Sequence, residues 1–360
     1  MLRSLIFYCK VYVIMKVCFD TSLWHRGKGR RGRRQAAGWN FEYAGMRCVI
    51  PAVYRFPGGI VFDILSFADE AELTEYINRY ESVEEKLTPS ERRCAEQENP
   101  FKTISLQEIW LNKTQRLGDI SYSYAVSVPR AGQHESLKPL RRAYRRYIGN
   151  NQPFACQRVR ASYQQSASRR ERLLRLLLPV SMKSMRLSVS AMQWFYPLNI
   201  RFELPESAGT QIELTDPATK KTHTLYIGKA ETTKLPITQG MTRRLHAALA
   251  TYEIDPELPE GSSLVFNSSI ETGGAVGPED FLANEEPGAA AIGIIGGADG
   301  PTAIFVGTKE NRQPIGPHGL PLHMCFSQPS FTETETNAFY IEGLSATRIG
   351  ETVITLGNEQ

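Results

Sequence analysis

Alternating apolar and polar positions run through much of the chain and predict more strand than helix. Met46 to Arg55 and Ile60 to Phe67 are strand-like runs, and Pro57-Gly58-Gly59 between them is a turn signal. Asp69 follows as the expected cap of a helix that continues to about Tyr80. The apolar face of that helix has helical spacing and consists of Leu73, Tyr76, Ile77 and Tyr80. The segment from Trp39 to Tyr80 therefore reads as a small β-β-β-α unit.

The next hundred residues mix both kinds of pattern. Pro89-Ser90 starts a second predicted helix, which ends near Asn99-Pro100. Three strands are predicted at residues 104–111, 120–128 and 154–163, and two strongly basic helices at residues 137–148 and 167–178.

From Met185 onward the pattern is mainly strand-like. Short strands are predicted at residues 185–196, 198–204, 211–214, 223–227, 234–237, 248–254 and 262–270, with final strands at 339–341 and 352–356. Short strands at regular spacing favour a sandwich or a barrel-like sheet. The expected fold class is therefore α+β, with a mixed N-terminal region and a β-rich C-terminal region.

Composition shifts suggest six consecutive segments. They are a flexible basic arm (1–38), a mixed basic region (39–182), a β-rich region (183–271), an acidic Gly-rich linker (272–287), a hairpin (288–307) and a C-terminal stretch of loop and strands (308–360). Met15 is a second candidate for the start of the chain, and residues 1–14 would then be an upstream extension.

Composition also narrows the class of protein. The chain has 360 residues, of which 41% are hydrophobic and 22% charged, as in ordinary globular proteins. No window of 18 or more apolar residues lacks a charge, so no polytopic membrane domain is expected. Six cysteines without a C-x-x-C pair are typical of reduced thiols, which favours a cytoplasmic location.

Charge is distributed unevenly along the chain. The net charge is +13 for residues 1–180 and −9 for residues 181–360, which together give the +4 of the whole protein. Such asymmetry attracts a polyanion to the first half or draws the two halves together, and the sequence leaves both readings open.

The densest positive run lies near the N-terminus. Six cations occur within nine residues: Arg26, Lys28, Arg30, Arg31, Arg33 and Arg34. Three glycines separate them, so the run is predicted to be a mobile arm. Its cations suit an anionic partner or the phosphates of a nucleic acid, and the alternative is a solvated tail without a ligand.

One stretch carries a specific pattern, residues 288–307, with the core Ile292-Gly293-Ile294-Ile295-Gly296-Gly297-Ala298-Asp299-Gly300-Pro301-Thr302. Two apolar runs flank a turn-rich hexapeptide, which predicts a hairpin in a soluble protein. In a membrane the same residues would form a broken helix whose backbone and carboxylate line an ion site.

This stretch resembles a signature of the beta subunits of sodium-ion-translocating decarboxylases, which act on oxaloacetate, methylmalonyl-CoA or glutaconyl-CoA. The resemblance covers 20 of 360 residues. It implies that Asp299 binds sodium, with Gly296, Gly297, Gly300 and Thr302 as the loop around it. The reading from the residues alone is that Asp299 forms a turn by hydrogen-bonding its own backbone.

The sequence gives little evidence for catalysis. It contains no G-x-G-x-x-G before a helix, no G-x-x-x-x-G-K-[ST], no H-E-x-x-H and no G-x-S-x-G. His318, His323 and Cys325 are ligand types suited to zinc, but they are expected in a loop and lack an evident fourth ligand. No catalytic residue or organic cofactor is predicted.

The expected function is a binding or accessory protein, and the alternative is a component or remnant of a sodium-translocating decarboxylase, with that enzyme's other subunits as partners.

Overall fold

The computed structural model describes residues 15–23, 29–83, 86–128, 137–164, 182–205, 208–235, 245–266, 314–327 and 336–357. These residues divide into two compact units that alternate along the chain. Unit 1 comprises residues 1–82, 98–192 and 349–360, and unit 2 comprises residues 83–97 and 193–348. The six consecutive segments expected from composition therefore do not correspond to the division seen in the structure.

Unit 1 is built on one eight-stranded antiparallel sheet. Its strands are β1 (Arg33–Tyr43), β2 (Met46–Phe56), β3 (Gly59–Phe67), β4 (Leu106–Leu111), β5 (Gln115–Ser127), β6 (Phe154–Tyr163), β7 (Ser184–Val189) and β16 (Thr352–Gly357). Their order in the sheet is β1-β2-β3-β6-β5-β4-β7-β16. The two end strands come close to each other, so the sheet is nearly closed into a barrel. Helices α1 (Glu70–Tyr80) and α3 (Lys138–Ala143) belong to this unit.

The two faces of this sheet pack against different partners. Ile60, Phe62 and Ile64 of β3 point inward and join the apolar side chains that fill the barrel. Val61 and Leu65 point outward into a second cluster, formed with the α3 segment (residues 137–148) and the N-terminal segment (residues 15–23). All nine residues of β3 are therefore buried, because both faces of that strand are covered.

Side-chain amides extend the pairing inside unit 1. Gln157 Nε2 donates to the carbonyl of Ile104 at 2.7 Å, and its Oε1 accepts from the N–H of Ile104 at 2.9 Å. Gln35 pairs in the same way with the backbone of Met182, at 2.8 and 3.4 Å. Each amide satisfies a backbone donor and acceptor that the ladder does not reach.

Unit 2 contains two sheets that share one hydrophobic core. The first has β9 (Thr210–Thr215), β10 (Thr222–Ile227), β11 (Glu231–Leu235), β12 (Leu245–Asp255) and β14 (His323–Phe326), and the second has β8 (Met192–Pro205), β13 (Ser263–Phe266) and β15 (Thr336–Ile349). Leu225 and Ile254 of the first sheet and Leu344 and Phe339 of the second lie in that core. Unit 2 is thus a β-sandwich, with most of helix α2 (Pro89–Glu98) assigned to it.

Many local predictions are confirmed. The strands expected at 46–55, 60–67 and 154–163 are present, and Asp69 caps α1 by accepting from the N–H groups of Ala71 and Glu72. The protein is strand-rich, which is loosely consistent with the expected α+β class. Within the described part of the chain, no helix is long and apolar enough to cross a membrane.

Other expectations need correction. Residues 1–38 were expected to be a flexible arm, yet Met15 and Leu23 are buried against the barrel and β1 already begins at Arg33. The helix expected at 137–148 is short and ends at Ala143. His323 and Cys325 belong to strand β14 and not to a loop. The barrel-like sheet lies mainly in the N-terminal half, where a mixed region was expected. The linker (272–287), the hairpin (288–307) and the helix at 167–178 lie outside the described residues.

Candidate anion-binding site

The start of β1 is held against the barrel by the N-terminal segment. The N–H of Gly32 donates to the carbonyl of Val17 at 3.0 Å. A Cβ atom at Gly32 would lie 2.5 Å from the ring of Phe56, so only glycine lets the backbone pass this ring. Because the chain is fixed at Gly32, the following residues Arg33 and Arg34 emerge from a defined position.

Arg34 is connected to the α3 segment through Tyr54. Arg34 lies directly opposite Tyr54 in the β1–β2 ladder, and Tyr54 belongs to the same buried cluster as Tyr144 of the α3 segment. Farther along β1, the hydroxyl of Tyr147 is 3.5 Å from the place of a Cβ on Gly38. The α3 segment therefore lies beside the start of β1 on the outer face of the sheet.

Two groups of cations meet in this region. Those at the start of β1 are Arg30, Arg31, Arg33 and Arg34, and those of the α3 segment are Lys138, Arg142, Arg145 and Arg146; all eight side chains are exposed. Neither residues 29–35 nor residues 137–148 contain an acidic side chain. We call these eight cations the basic surface.

Arg141 of the same segment has a different role. Its guanidinium donates to the carbonyls of Gly149 and Gln152 at 2.9 and 2.8 Å and lies 4.9 Å from the centre of the Phe154 ring. Arg141 therefore fixes the end of the α3 segment on the sheet, while Arg142, Arg145 and Arg146 are exposed.

A buried ion pair lies beneath the basic surface. Arg158 of β6 and Asp63 of β3 are 1% and 0% exposed, and their guanidinium and carboxylate form two hydrogen bonds, Nε to Oδ1 at 2.7 Å and Nη2 to Oδ2 at 2.9 Å. Arg158 also donates to the carbonyl of Ser22, and Tyr144 donates from its hydroxyl to Asp63 Oδ2 at 2.5 Å. The pair thus contacts both segments that cover this face of the barrel.

Burial and neighbouring charges shift the pKa values of Arg158 and of two residues near it, Tyr144 and Cys156. Burial alone would lower the pKa of Arg158, but Asp63 outweighs it and raises that pKa. Burial, reinforced by Asp63, raises the pKa of Tyr144 well above its usual value. Burial likewise raises the pKa of the Cys156 thiol. Arg158 is therefore charged, and Tyr144 and Cys156 are protonated, across the physiological pH range, so none of the three suits a general base or a nucleophile.

Unit 2 also contains a buried carboxylate that is held by a loop. Glu253 of β12 is 2% exposed and lies under the loop of residues 314–321. Its carboxylate accepts from the N–H of His318 at 2.9 Å and of Leu320 at 3.2 Å, and it is 2.8 Å from Nδ1 of His318. A Cβ at Gly316 would lie 2.2 Å from the carboxyl carbon of Glu253. The imidazole of His318 stacks on Tyr226, with ring centres 4.0 Å apart.

The three residues considered as zinc ligands, His318, His323 and Cys325, have separate surroundings. His318 contacts Glu253, His323 stacks on Tyr252 with ring centres 5.1 Å apart, and Cys325 is buried opposite Ala250. Among the residues that the structure describes, no group of three His, Cys, Asp or Glu side chains could hold a metal ion. None of the five described cysteines forms a disulfide.

The other predicted site residues lie either in the basic surface or outside the described residues. Arg30, Arg31, Arg33 and Arg34 belong to the basic surface. Arg26 and Lys28 lie outside the described residues, as does the whole predicted sodium site: Asp299, Gly296, Gly297, Gly300 and Thr302.

The sequence interpretation missed the buried pair. Asp63 interrupts the apolar run from Ile60 to Phe67, and Arg158 interrupts the run from Phe154 to Tyr163. An acid and a base, each inside a strand that is otherwise apolar, are a recognisable signal for a buried ion pair, because neither charge is buried without a partner.

Comparisons of the chain with protein-family models, with curated proteins and with solved structures find no match. Function has to be inferred from the site itself.

Proposed function

We propose that this protein is a non-enzymatic binding protein and that unit 1 binds a nucleic acid along the basic surface. The observation that supports this is that Tyr54, which lies directly opposite Arg34 on the adjacent strand, packs with Tyr144 of the α3 segment in one buried cluster. This packing joins the cations of β1 to those of a segment more than 100 residues later in the chain. Neither group alone has the charge that the two have together.

The chemistry of the surface suits a phosphate backbone. Arginine and lysine side chains bind phosphates and release the counterions condensed on a nucleic acid, so affinity rises with the number of cations in contact. Because residues 29–35 and 137–148 contain no acidic side chain, a polyanion meets no repulsion from these two segments. The buried Asp63 is neutralised by Arg158 directly beside it.

The test is a binding titration with fluorescein-labelled oligonucleotides. Single-stranded RNA, single-stranded DNA and a duplex of about 20 nucleotides are compared by fluorescence anisotropy at several salt concentrations. We expect binding by the wild type that weakens steeply with salt, and a loss of at least about tenfold in the double variant Arg142→Glu, Arg146→Glu.

The matched control places the same charge change in unit 2. Lys220 and Lys221 are exposed in the turn between β9 and β10. The double variant Lys220→Glu, Lys221→Glu should bind like the wild type. Equal loss in both double variants would mean that only net charge matters, and absence of binding by the wild type would reject the proposal.

The resemblance of residues 288–307 to decarboxylase beta subunits stays a prediction. The stretch lies outside the described residues, so the structure neither supports nor opposes sodium binding at Asp299. Under this second reading the protein would be an accessory to a decarboxylase, and a sodium-dependence experiment given below tests it.

A further inference from the structure

A partly exposed tryptophan lies between two arginines on the outer face of the barrel sheet. Trp110 of β4 is directly opposite Arg116 of β5 on one side and Arg186 of β7 on the other. Its neighbours Ile109 and Leu111 are buried in the barrel core, so Trp110 and the two residues paired with it project outward. Trp110 is partly exposed, and both arginines are exposed.

Polar contacts fix the orientation of the tryptophan ring. Nε1 of Trp110 donates to Oε2 of Glu108 at 2.9 Å, and Oε1 of the same carboxylate is 2.5 Å from the guanidinium of Arg116. The guanidinium of Arg186 lies over the indole ring, 5.0 Å from its centre. Because Arg186 is exposed, this cation–π contact is open to solvent.

Two lysines flank the same end of the sheet. The turn between β4 and β5 is bonded to the start of β7: Asn112 Oδ1 accepts from the N–H of Lys183 at 2.8 Å, and the Asn112 N–H donates to the carbonyl of Ser184 at 3.0 Å. Lys113 in that turn and Lys183 are both exposed. We give the name tryptophan platform to the following five residues: Trp110, Lys113, Arg116, Lys183 and Arg186.

The tryptophan platform and the basic surface lie at the same end of the barrel. Gln35, which directly follows Arg33 and Arg34, donates from its side-chain amide to the carbonyl of Met182 at 2.8 Å, and Lys183 is the next residue after Met182. This hydrogen bond joins the start of β1 to the start of β7. The platform is therefore continuous with the cations of β1.

We propose that the tryptophan platform binds an unpaired base of a single-stranded nucleic acid whose phosphates lie along the basic surface. The proposal rests on the proposed function for its ligand and adds the class of nucleic acid. Indole rings and guanidinium groups both stack on bases, and the flanking cations suit the adjoining phosphates. In a duplex the bases are paired and stacked on one another, so they are not accessible to Trp110.

The first experiment removes the bases from the ligand and keeps its phosphates. The single-stranded DNA of the titration above is compared with an oligomer of the same length made of abasic nucleotides. The wild type should bind the strand with bases about tenfold more tightly. Trp110→Ala should bind both oligomers equally, and Trp110→Phe, which keeps an aromatic ring, should retain part of the preference. The strand with bases should also quench tryptophan fluorescence, and less so in Trp110→Phe.

The matched control uses the corresponding contact in unit 2. There the guanidinium of Arg348 is 3.8 Å from the centre of the Trp194 ring, and Arg348 is exposed. Arg186→Gln should weaken binding and lower the slope of log affinity against log salt by about one, whereas Arg348→Gln should bind like the wild type. Trp110→Ala removes no charge and should leave the slope unchanged. If Trp110→Ala does not fold, the abasic oligomer on the wild type and Arg186→Gln decide.

The outcomes separate the platform from the proposed function. Equal affinity of the wild type for the two oligomers, or a preference for bases that Trp110→Ala retains, would overturn the platform and leave the proposed function standing. A preference for bases that needs Trp110, in a protein whose affinity is unchanged by Arg142→Glu, Arg146→Glu, would keep the platform and overturn the basic surface as the binding site. No binding of any oligonucleotide by the wild type would overturn both proposals.

Discussion

In each unit a buried carboxylate lies under a segment that covers its sheet, Asp63 in unit 1 and Glu253 in unit 2, but the two are held differently. Asp63 in unit 1 pairs with Arg158 on the adjacent strand, and only one of its hydrogen bonds, from Tyr144, comes from the covering α3 segment. In unit 2, the hydrogen bonds of Glu253 come from the covering loop, through the backbone and side chain of His318 and the N–H of Leu320.

Apolar packing also holds the α3 segment on its sheet more firmly than it holds the loop of residues 314–321. The α3 segment buries Leu137, Leu140 and Ile148 against the barrel. The loop of residues 314–321 contains no buried residue, and its Ile315 is 62% exposed. Loss of the carboxylate should therefore destabilise unit 1 without releasing α3 first, whereas in unit 2 it should release the loop while the sandwich persists.

The largest effect is expected for the pair in unit 1. Arg158→Gln leaves Asp63 buried without a countercharge and should cost about 3–5 kcal/mol in the free energy of unfolding. Chemical denaturation followed by circular dichroism measures this loss.

The control for this prediction is an exposed pair of the same unit. Glu108→Gln breaks the contact of Glu108 with Arg116, whose side chains are 34% and 47% exposed, and should cost less than about 1 kcal/mol. If the two variants lost the same small amount, the Asp63–Arg158 pair would be no more important than a surface contact.

A smaller, pH-dependent effect is expected in unit 2. Burial acts to raise the pKa of Glu253, but the hydrogen bonds from His318 and Leu320 outweigh it and lower that pKa. A carboxyl group whose pKa is lower in the folded state stabilises the fold above its unfolded pKa of about 4.3, and this contribution is lost as the pH falls through the folded pKa. Acid should therefore release the loop of residues 314–321.

The comparison of Glu253→Gln with the wild type measures this contribution. At pH 7 the variant should have a lower thermal midpoint and faster amide hydrogen exchange at His318 and Leu320, and the difference in midpoint should shrink toward pH 3.5. Glu260→Gln, at an exposed position of the same unit, should behave like the wild type. A difference in midpoint that does not change with pH would exclude the ionised carboxylate as the cause.

The smallest effect is expected for Asp299, which lies outside the described residues. If it only forms a turn, Asp299→Asn should cost about 1 kcal/mol or less, because the amide keeps much of the local hydrogen bonding. The measurement is the thermal midpoint of wild type and variant in sodium, potassium or choline at equal ionic strength. A rise specific to sodium that disappears in Asp299→Asn would instead support an ion ligand, as the resemblance implies.

Local structure could be predicted from the sequence, and long-range pairing could not. The Asp69 cap, helix α1 and the runs of β2, β3 and β6 depend on neighbours within a few residues, so periodicity and turn residues suffice. One of the two partners of β7 is β16, more than 150 residues later in the chain, and no local pattern in a single sequence specifies such a partner.

The candidate site, too, could be predicted from the sequence only where it depends on neighbouring residues. The cations from Arg30 to Arg34 were visible as a charged run, but glycine between them was taken as a sign of flexibility. Gly32 is needed because the Phe56 ring leaves no room for a side chain. The contribution of the α3 segment depends on strand register and on the packing of Tyr54, which the sequence pattern does not contain.

The position of β16 has a consequence for biosynthesis. The ribosome delivers the chain from the N-terminus, so β7 leaves the exit tunnel long before residues 352–357, with which it pairs. Unit 2 is encoded almost entirely between these two strands. During translation, the barrel sheet therefore has an open hydrogen-bonding edge at β7 throughout the synthesis of the sandwich. Its last strand is added only after the sandwich residues have been made, and a ribosome that stalls within unit 2 leaves a nascent chain with that edge exposed to other strands.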